Sequence, residues 1–142
     1  MKKFEFELEE ILNIRRFEQQ QAEVELGKAL AEEKKVQDKI DNLAMQQVTV
    51  KQQMKGCTNF SDIINANQFY AFVKKQTDFL LNQMAELKLV SEQKRDVLRN
   101  AMQKTDSLEK LKEQQLEEYK AEVKRIEQLE LDNIVTTRYK NE

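Results

Sequence analysis

The chain has 142 residues with a formal net charge of −2, charged side chains at 35% of positions, two glycines and no proline. Ala, Glu, Lys, Leu and Arg account for 67 of the residues, which is typical of long helices or coiled coil. The near balance of charges excludes the basic footprint of a nucleic-acid-binding protein. The scarcity of turn residues excludes a compact mixed domain.

The first predicted element is a helix over about residues 4–55. From Ala22 onward its seam follows the alternating three- and four-residue spacing of a coiled coil. The seam residues are Ala22, Leu26, Ala29, Glu33, Val36, Ile40, Leu43, Gln47, Val50 and Met54. The spacing predicts that a second helix covers this stripe. Glu33 and Gln47 are interpreted as tolerated polar layers, with control of register or docking of a third partner as the alternative.

A bend is predicted over about residues 56–65, where the helical pattern breaks. Gly56 suits the left-handed cap of the first helix, while Ser61 and Asn65 are residue types that cap helix starts. The only cysteine, Cys57, has no partner for an internal disulfide, which favours a reducing compartment.

The second helix is predicted over about residues 66–139. Its seam continues from Leu80 through Met84, Leu87 and Leu98 to Leu108, and a four-residue skip follows before Tyr119. Because helices joined by a short connection pack as neighbours, the two seams predict an all-α fold. It is a long two-helix antiparallel coiled-coil hairpin with a longer, projecting C-terminal helix, forming a single domain over residues 1–142.

The two predicted helices differ in length. Pairing outward from a bend near Phe60 places Phe4 opposite about Leu116, so we expect the last two dozen residues to have no partner within the chain. Their apolar stripe continues nevertheless. Such a stripe is a surface for a different protein, a homodimer seam, or a helix that frays until bound.

The sequence contains no histidine, no glycine-rich phosphate loop and no pair of cysteines. These absences predict that the chain is not an enzyme and has no cofactor or metal site. The start, "MKKFEFELEE", has glutamates where a signal peptide requires an apolar run, and no segment approaches the roughly 18 apolar residues of a membrane span. We expect a soluble cytoplasmic protein.

The segment "FEFELEEILNIRRFEQQQAEVEL" resembles the start of the FliJ family of flagellar export proteins. Phe4, Phe6 and Leu8 alternate into Ile11, Leu12 and Arg15, and Glu18, Ala22 and Leu26 follow. The glutamate-rich ending, "LEKLKEQQLEEYKAEVKRIEQLELDNIVTTRYKNE", also agrees with that family, so the resemblance covers essentially the full chain.

The resemblance implies a soluble component of the flagellar type III export apparatus, built like the stalk subunit of rotary ATP synthases. The expected partners are the hexameric export ATPase FliI and the export gate protein FlhA, with export chaperones as further candidates. The expected location is the cytoplasmic face of the flagellar basal body, where the protein reaches the membrane through its partners only.

The resemblance also implies which residues bind each partner. The residues expected at the ATPase are Phe4, Phe6, Leu8, Leu116, Tyr119, Val123 and Ile126. For Phe4 and Leu8, pairing with the second helix is the alternative, and it is the favoured one. Those expected at the gate are Phe69, Val73, Gln76 and Leu80, for which closing the tip of the hairpin is the alternative. Two alternative functions remain: an injectisome stalk protein of the same architecture, and a structural coiled coil that self-associates through the C-terminal stripe.

Overall fold

The computed structural model describes residues 2–141, which contain two α-helices. Helix α1 spans Glu9–Gln53 and helix α2 spans Phe60–Asn141. They pack against each other as a helical hairpin with a longer second helix, which confirms the predicted all-α fold class. Within residues 2–141, neither helix contains a stretch whose length and hydropathy suit a membrane span.

Helix α1 begins at Glu9, later than the predicted start near residue 4. Residues 2–6 have no regular structure, and a turn at Glu7 and Leu8 leads into the helix. The reason is visible in the letters "FEFEL", since alternation of apolar and charged residues is typical of extended backbone and not of a helix. Glu9 and Glu10 occupy the first turn, where negative charge is favourable to the helix dipole.

The bend is shorter than predicted, because α2 begins at Phe60 and not near residue 66. Gly56 has a φ of 74°, the left-handed conformation expected of a glycine that ends a helix. The side-chain oxygen of Asn59 accepts a hydrogen bond from the backbone N–H of Ser61 at 3.0 Å. Asn59 therefore caps α2, and the segment predicted as the end of the bend forms the first turns of the helix.

The tertiary contacts divide the chain into two compact units. One of them is Gln21–Leu98, in which Val36 of α1 packs with Leu80 and Met84 of α2. Ile40, Leu43 and Leu87 pack against this cluster. All ten predicted seam positions from Ala22 to Met54 are buried or half-buried, so the coiled-coil spacing identified the face that α2 covers.

The same unit contains a polar layer in its seam. Ser91 is buried, and its hydroxyl donates a hydrogen bond to the Glu33 carboxylate of α1. The Ser91 hydroxyl also lies 3.1 Å from the carbonyl oxygen of Lys88. Glu33 is half-buried, so it keeps contact with water while it faces α2. The predicted polar interruption of the seam is therefore satisfied by a hydrogen bond between the helices.

The other unit combines the N-terminal stretch up to Gln20 with the part of α2 from Arg99 onward. Leu12 has no exposed surface and is its best-buried side chain. Phe6 and Thr105 are also buried, and the Thr105 hydroxyl donates to the Ala101 carbonyl of its own helix at 3.0 Å. A hydroxyl in this seam thus satisfies its hydrogen bond within α2.

Candidate functional site

The N-terminal segment, residues 2–8, packs on α2 at Tyr119. The Tyr119 hydroxyl donates a hydrogen bond to the backbone carbonyl of Lys2 at 2.7 Å. The ring of Phe4 lies 5.6 Å from the Tyr119 ring, centroid to centroid, at an interplanar angle of 48°. Phe6 is buried and Leu8 is half-buried. The structure thus brings Phe4 and Tyr119, both expected at the ATPase, into direct contact.

Two ion pairs join the helices beside this contact. The Lys112 ammonium lies 2.7 Å from the Glu9 carboxylate, and the Arg16 guanidinium lies 3.3 Å from the Glu109 carboxylate. All four side chains keep about a third to a half of their surface exposed, so each pair stabilises the fold only weakly, by about 0–1 kcal/mol. They are informative because they show the register of the two helices, that is, which residues lie opposite each other.

The expectation that the last two dozen residues have no partner within the chain is wrong at its near end. In the structure, the ion pairs of Glu9 and Arg16 align the two helices so that Phe4 lies opposite Tyr119. Counting outward from a bend at Phe60 places Phe4 opposite Leu116, about one turn earlier on α2. The count failed because the register depends on contacts between the helices and not on the midpoint of the bend. Leu116, Val123 and Ile126 are half-buried.

Beyond Ile126, α2 no longer has a buried face. Every residue from Glu127 to Asn141 is exposed. The apolar side chains in this segment are Leu129, Leu131, Ile134, Val135 and Tyr139, and each has about half or more of its surface exposed. We call residues 127–141 the terminal segment. Its exposed apolar residues are the kind of surface that marks a partner-binding site.

One charge interaction lies just before the terminal segment. Arg125 donates hydrogen bonds from Nε and Nη2 to the carboxylate of Glu122, one turn earlier on the exposed surface of α2. The hydrogen bond from Arg125 holds the pKa of Glu122 below its ordinary value. The same hydrogen bond raises the pKa of Arg125. As an exposed i,i+3 pair, Glu122 and Arg125 contribute only weakly to the stability of the helix before the terminal segment.

The residues expected at the gate divide between the core and the surface. Val73 and Leu80 are buried in the hairpin, while Phe69 and Gln76 are half-buried. A buried side chain offers nothing to a partner without opening the hairpin. Of the four, only Phe69 and Gln76 present part of their surface to solvent.

The neighbouring face of α2 carries two exposed aromatic residues that the sequence analysis did not identify. Phe72 and Phe79 are 53% and 65% exposed, and they line a shallow groove with Gln76, Gln83 and Leu43 of α1. The signal was present in the sequence as a second stripe, Phe72, Gln76, Phe79 and Gln83, at the same spacing of three and four residues as the seam.

Within residues 2–141, no group of three or more histidine, cysteine or acidic side chains is arranged to hold a metal ion. Cys57, in the bend, is half-buried, and its sulfur lies 4.0 Å from the Asp62 carboxylate.

The comparisons with known proteins agree with this description. The family model described as Flagellar FliJ protein matches residues 4–142. Neither a curated protein nor a solved structure matches the chain. The chain belongs to the FliJ family and is a coiled-coil protein related to flagellar export.

Proposed function

We propose that this protein is a non-enzymatic component of the flagellar type III export apparatus. It binds the ring of the export ATPase FliI as a central stalk, links that ring to the export gate protein FlhA, and escorts export chaperones at the cytoplasmic face of the basal body. Membership of the FliJ family supports the assignment to export. The observation that carries the stalk role is the exposure of the whole terminal segment, residues 127–141.

The terminal segment suits a ring for reasons of size and chemistry. A single α-helix with its side chains is about 10–12 Å across, so it enters an opening that would exclude a helix pair. Its exposed apolar residues, with Ile134 and Val135 adjacent to each other, gain hydrophobic stabilisation when a ring surrounds them. Phe4 and Tyr119, which are half-buried and in contact, lie on the same unit as this segment, and in the proposal they contact the mouth of the ring. Phe6 is buried and holds the N-terminal segment in place.

The link to the gate is assigned to the exposed face of α2 in the other unit. Phe72 and Phe79 flank Gln76 on this face, and exposed aromatic side chains are enriched among the residues that dominate binding energy. In the proposal these two rings make the principal contact with FlhA. Phe69 and Gln76 add to the edge of that contact, while Val73 and Leu80 keep the helix in place from inside the hairpin.

The experiment is sedimentation of the full chain with purified FliI. The variant Ile134→Asp/Val135→Asp places two charges on the terminal segment and is expected to weaken binding about tenfold or more. The matched control is Leu89→Asp/Val90→Asp, which changes another adjacent pair of exposed apolar residues on α2 and is expected to bind normally. Equal binding by both variants would remove the terminal segment from the mechanism.

Two further experiments with the same protein test the contact with the gate and the alternative of self-association. Phe72→Asp/Phe79→Asp is expected to lose binding to FlhA while binding to FliI is retained. Sedimentation of the protein alone over a range of concentrations tests the competing role of a structural coiled coil. A dimer that forms on concentration and ignores FliI would assign the terminal segment to a homodimer seam.

A further inference from the structure

The start of α2 has an outer face that neither partner assignment uses. The register places Lys51, in the last turn of α1, over the ring of Tyr70 at 5.8 Å from its centroid. The residues of α2 before Tyr70 therefore run alongside only the end of α1 and the bend. Ala66 and Val73 are buried on the side of α2 that faces α1, and the opposite side is left to the solvent.

The outer face is defined by residues three and four apart along the first turns of α2. They are Phe60, Ile63, Ile64, Asn67, Ala71, Lys74 and Lys75, and all of them are exposed. Phe60 is 75% exposed, and Ile63 and Ile64 are 37% and 39% exposed. The face thus begins with three apolar side chains, continues with small or uncharged ones, and ends with two lysines.

The charges around this face are unusual for the chain. Acidic residues number 26 in 142 positions, yet between Asp41 and Asp78 the only one is Asp62, while four lysines occur there. Asp62 lines a groove with Val50, Met54 and Ala66, so it lies on the side toward α1. Asp78 is also exposed and follows Lys74 and Lys75 by one turn on the same face, so this end of the face carries two positive charges and one negative charge.

We propose that this outer face binds the surface of an anionic lipid bilayer. Exposed Phe and Ile side chains on one face of a helix, with lysines beside them, are the features of a helix that lies in a membrane interface. Phe60, Ile63 and Ile64 enter the boundary between headgroups and acyl chains. Lys74 and Lys75, about 15–20 Å further along the helix, keep their stems on the apolar boundary and their ammonium groups at the lipid phosphates.

An anionic bilayer fits this face better than an acidic protein does. The three apolar residues lie at the exposed start of the helix, and two lysines follow them on the same face. A fluid bilayer needs no matching shape, because its lipids move aside for the inserted side chains. The proposal is independent of the binding to FliI and FlhA, and it adds a direct membrane contact to contacts made through partners.

The test is co-sedimentation of the full chain with vesicles of phosphatidylglycerol mixed with phosphatidylcholine, and with vesicles of phosphatidylcholine alone. The protein is expected to sediment with the anionic vesicles, to be released by salt, and to ignore the neutral ones. The variant Lys74→Glu/Lys75→Glu is expected to lower the partition coefficient about thirtyfold or more, and Phe60→Ser about tenfold. All variants are expected to keep the circular dichroism of the parent, since the substituted side chains are exposed.

The matched control is Lys34→Glu/Lys35→Glu, an adjacent pair of exposed lysines on α1 with the same change in net charge. It is expected to reduce vesicle binding less than about threefold. An equal loss of vesicle binding in the control would mean that net charge alone causes the effect, and it would overturn the proposal. Equal sedimentation with neutral and anionic vesicles would also overturn it. A protein that ignores both kinds of vesicle but is retained on immobilised polyglutamate would assign the face to an acidic protein instead.

Discussion

Replacing Ser91 by alanine tests the polar layer of the seam. In the native protein the buried Ser91 hydroxyl donates to the Glu33 carboxylate across the hairpin. Ser91→Ala removes the donor and leaves the carboxylate facing an apolar methyl group. A hydrogen bond to a charged group contributes about 1.5–3 kcal/mol.

Two effects reduce this number. Glu33 is half-buried, so water replaces part of the lost hydrogen bond, and alanine is a better helix former than serine by about 0.5 kcal/mol. We therefore expect Ser91→Ala to lower the free energy of unfolding by about 1–2 kcal/mol. The measurement is urea unfolding at neutral pH, followed by circular dichroism.

The control is Ser107→Ala on the same helix. Ser107 is exposed, and its hydroxyl donates only to the Gln103 carbonyl of its own helix, at 2.9 Å. The chemical change and the gain in helix propensity are the same as in Ser91→Ala, but no contact between the helices is lost. We expect Ser107→Ala to be neutral or slightly stabilising. Unfolding free energies of the two variants within about 0.5 kcal/mol of each other would refute the inference that the Glu33–Ser91 hydrogen bond stabilises the hairpin.

Three further predictions concern single positions. Leu12→Ala is expected to lower the free energy of unfolding in urea by about 2–5 kcal/mol, because the side chain has no exposed surface. Ile11→Ala, at an exposed neighbour, should lower it by under about 1 kcal/mol. Equal losses in the two variants would contradict the burial of Leu12. Gly56→Ala is expected to lower stability by about 1–2 kcal/mol, because the φ of 74° strains an L-residue although nothing lies near the added Cβ. Arg125→Gln is expected to raise the pKa of Glu122 toward its ordinary value in an NMR titration, since the Arg125 hydrogen bond holds it down. The contribution of this pair is therefore present above the ordinary carboxyl range and is lost as the pH falls through the lowered pKa.

The buried polar layer has a meaning beyond stability. An apolar seam of long helices allows neighbouring registers that differ by one heptad, and each would bury similar residues. A register shifted by one heptad loses the hydrogen bond between Ser91 and Glu33, because an apolar side chain of α1 then faces Ser91. We expect this hydrogen bond to favour the native alignment of the two helices within their unit.

The pattern of apolar residues was enough to predict the two helices and the face that each one buries. The seam positions from Ala22 to Met54 are buried or half-buried as predicted, because a helix of 3.6 residues per turn places residues three and four apart on one side. Gly56 adopts the left-handed conformation predicted for it, because only glycine takes that conformation without strain. These features depend on local backbone geometry, which is determined by residues close together in the sequence.

The tertiary structure decided what local patterns leave open. Whether Phe4 met Leu116 or Tyr119 depended on contacts between residues far apart in the chain. The exposure of Phe72 and Phe79, and the burial of Val73 and Leu80 beside them, depended on which side of α2 faces α1. The sequence alone determined two helices with apolar stripes, since periodicity is a property of each helix by itself. Register and exposure were decided only by packing, because they are properties of a pair of helices.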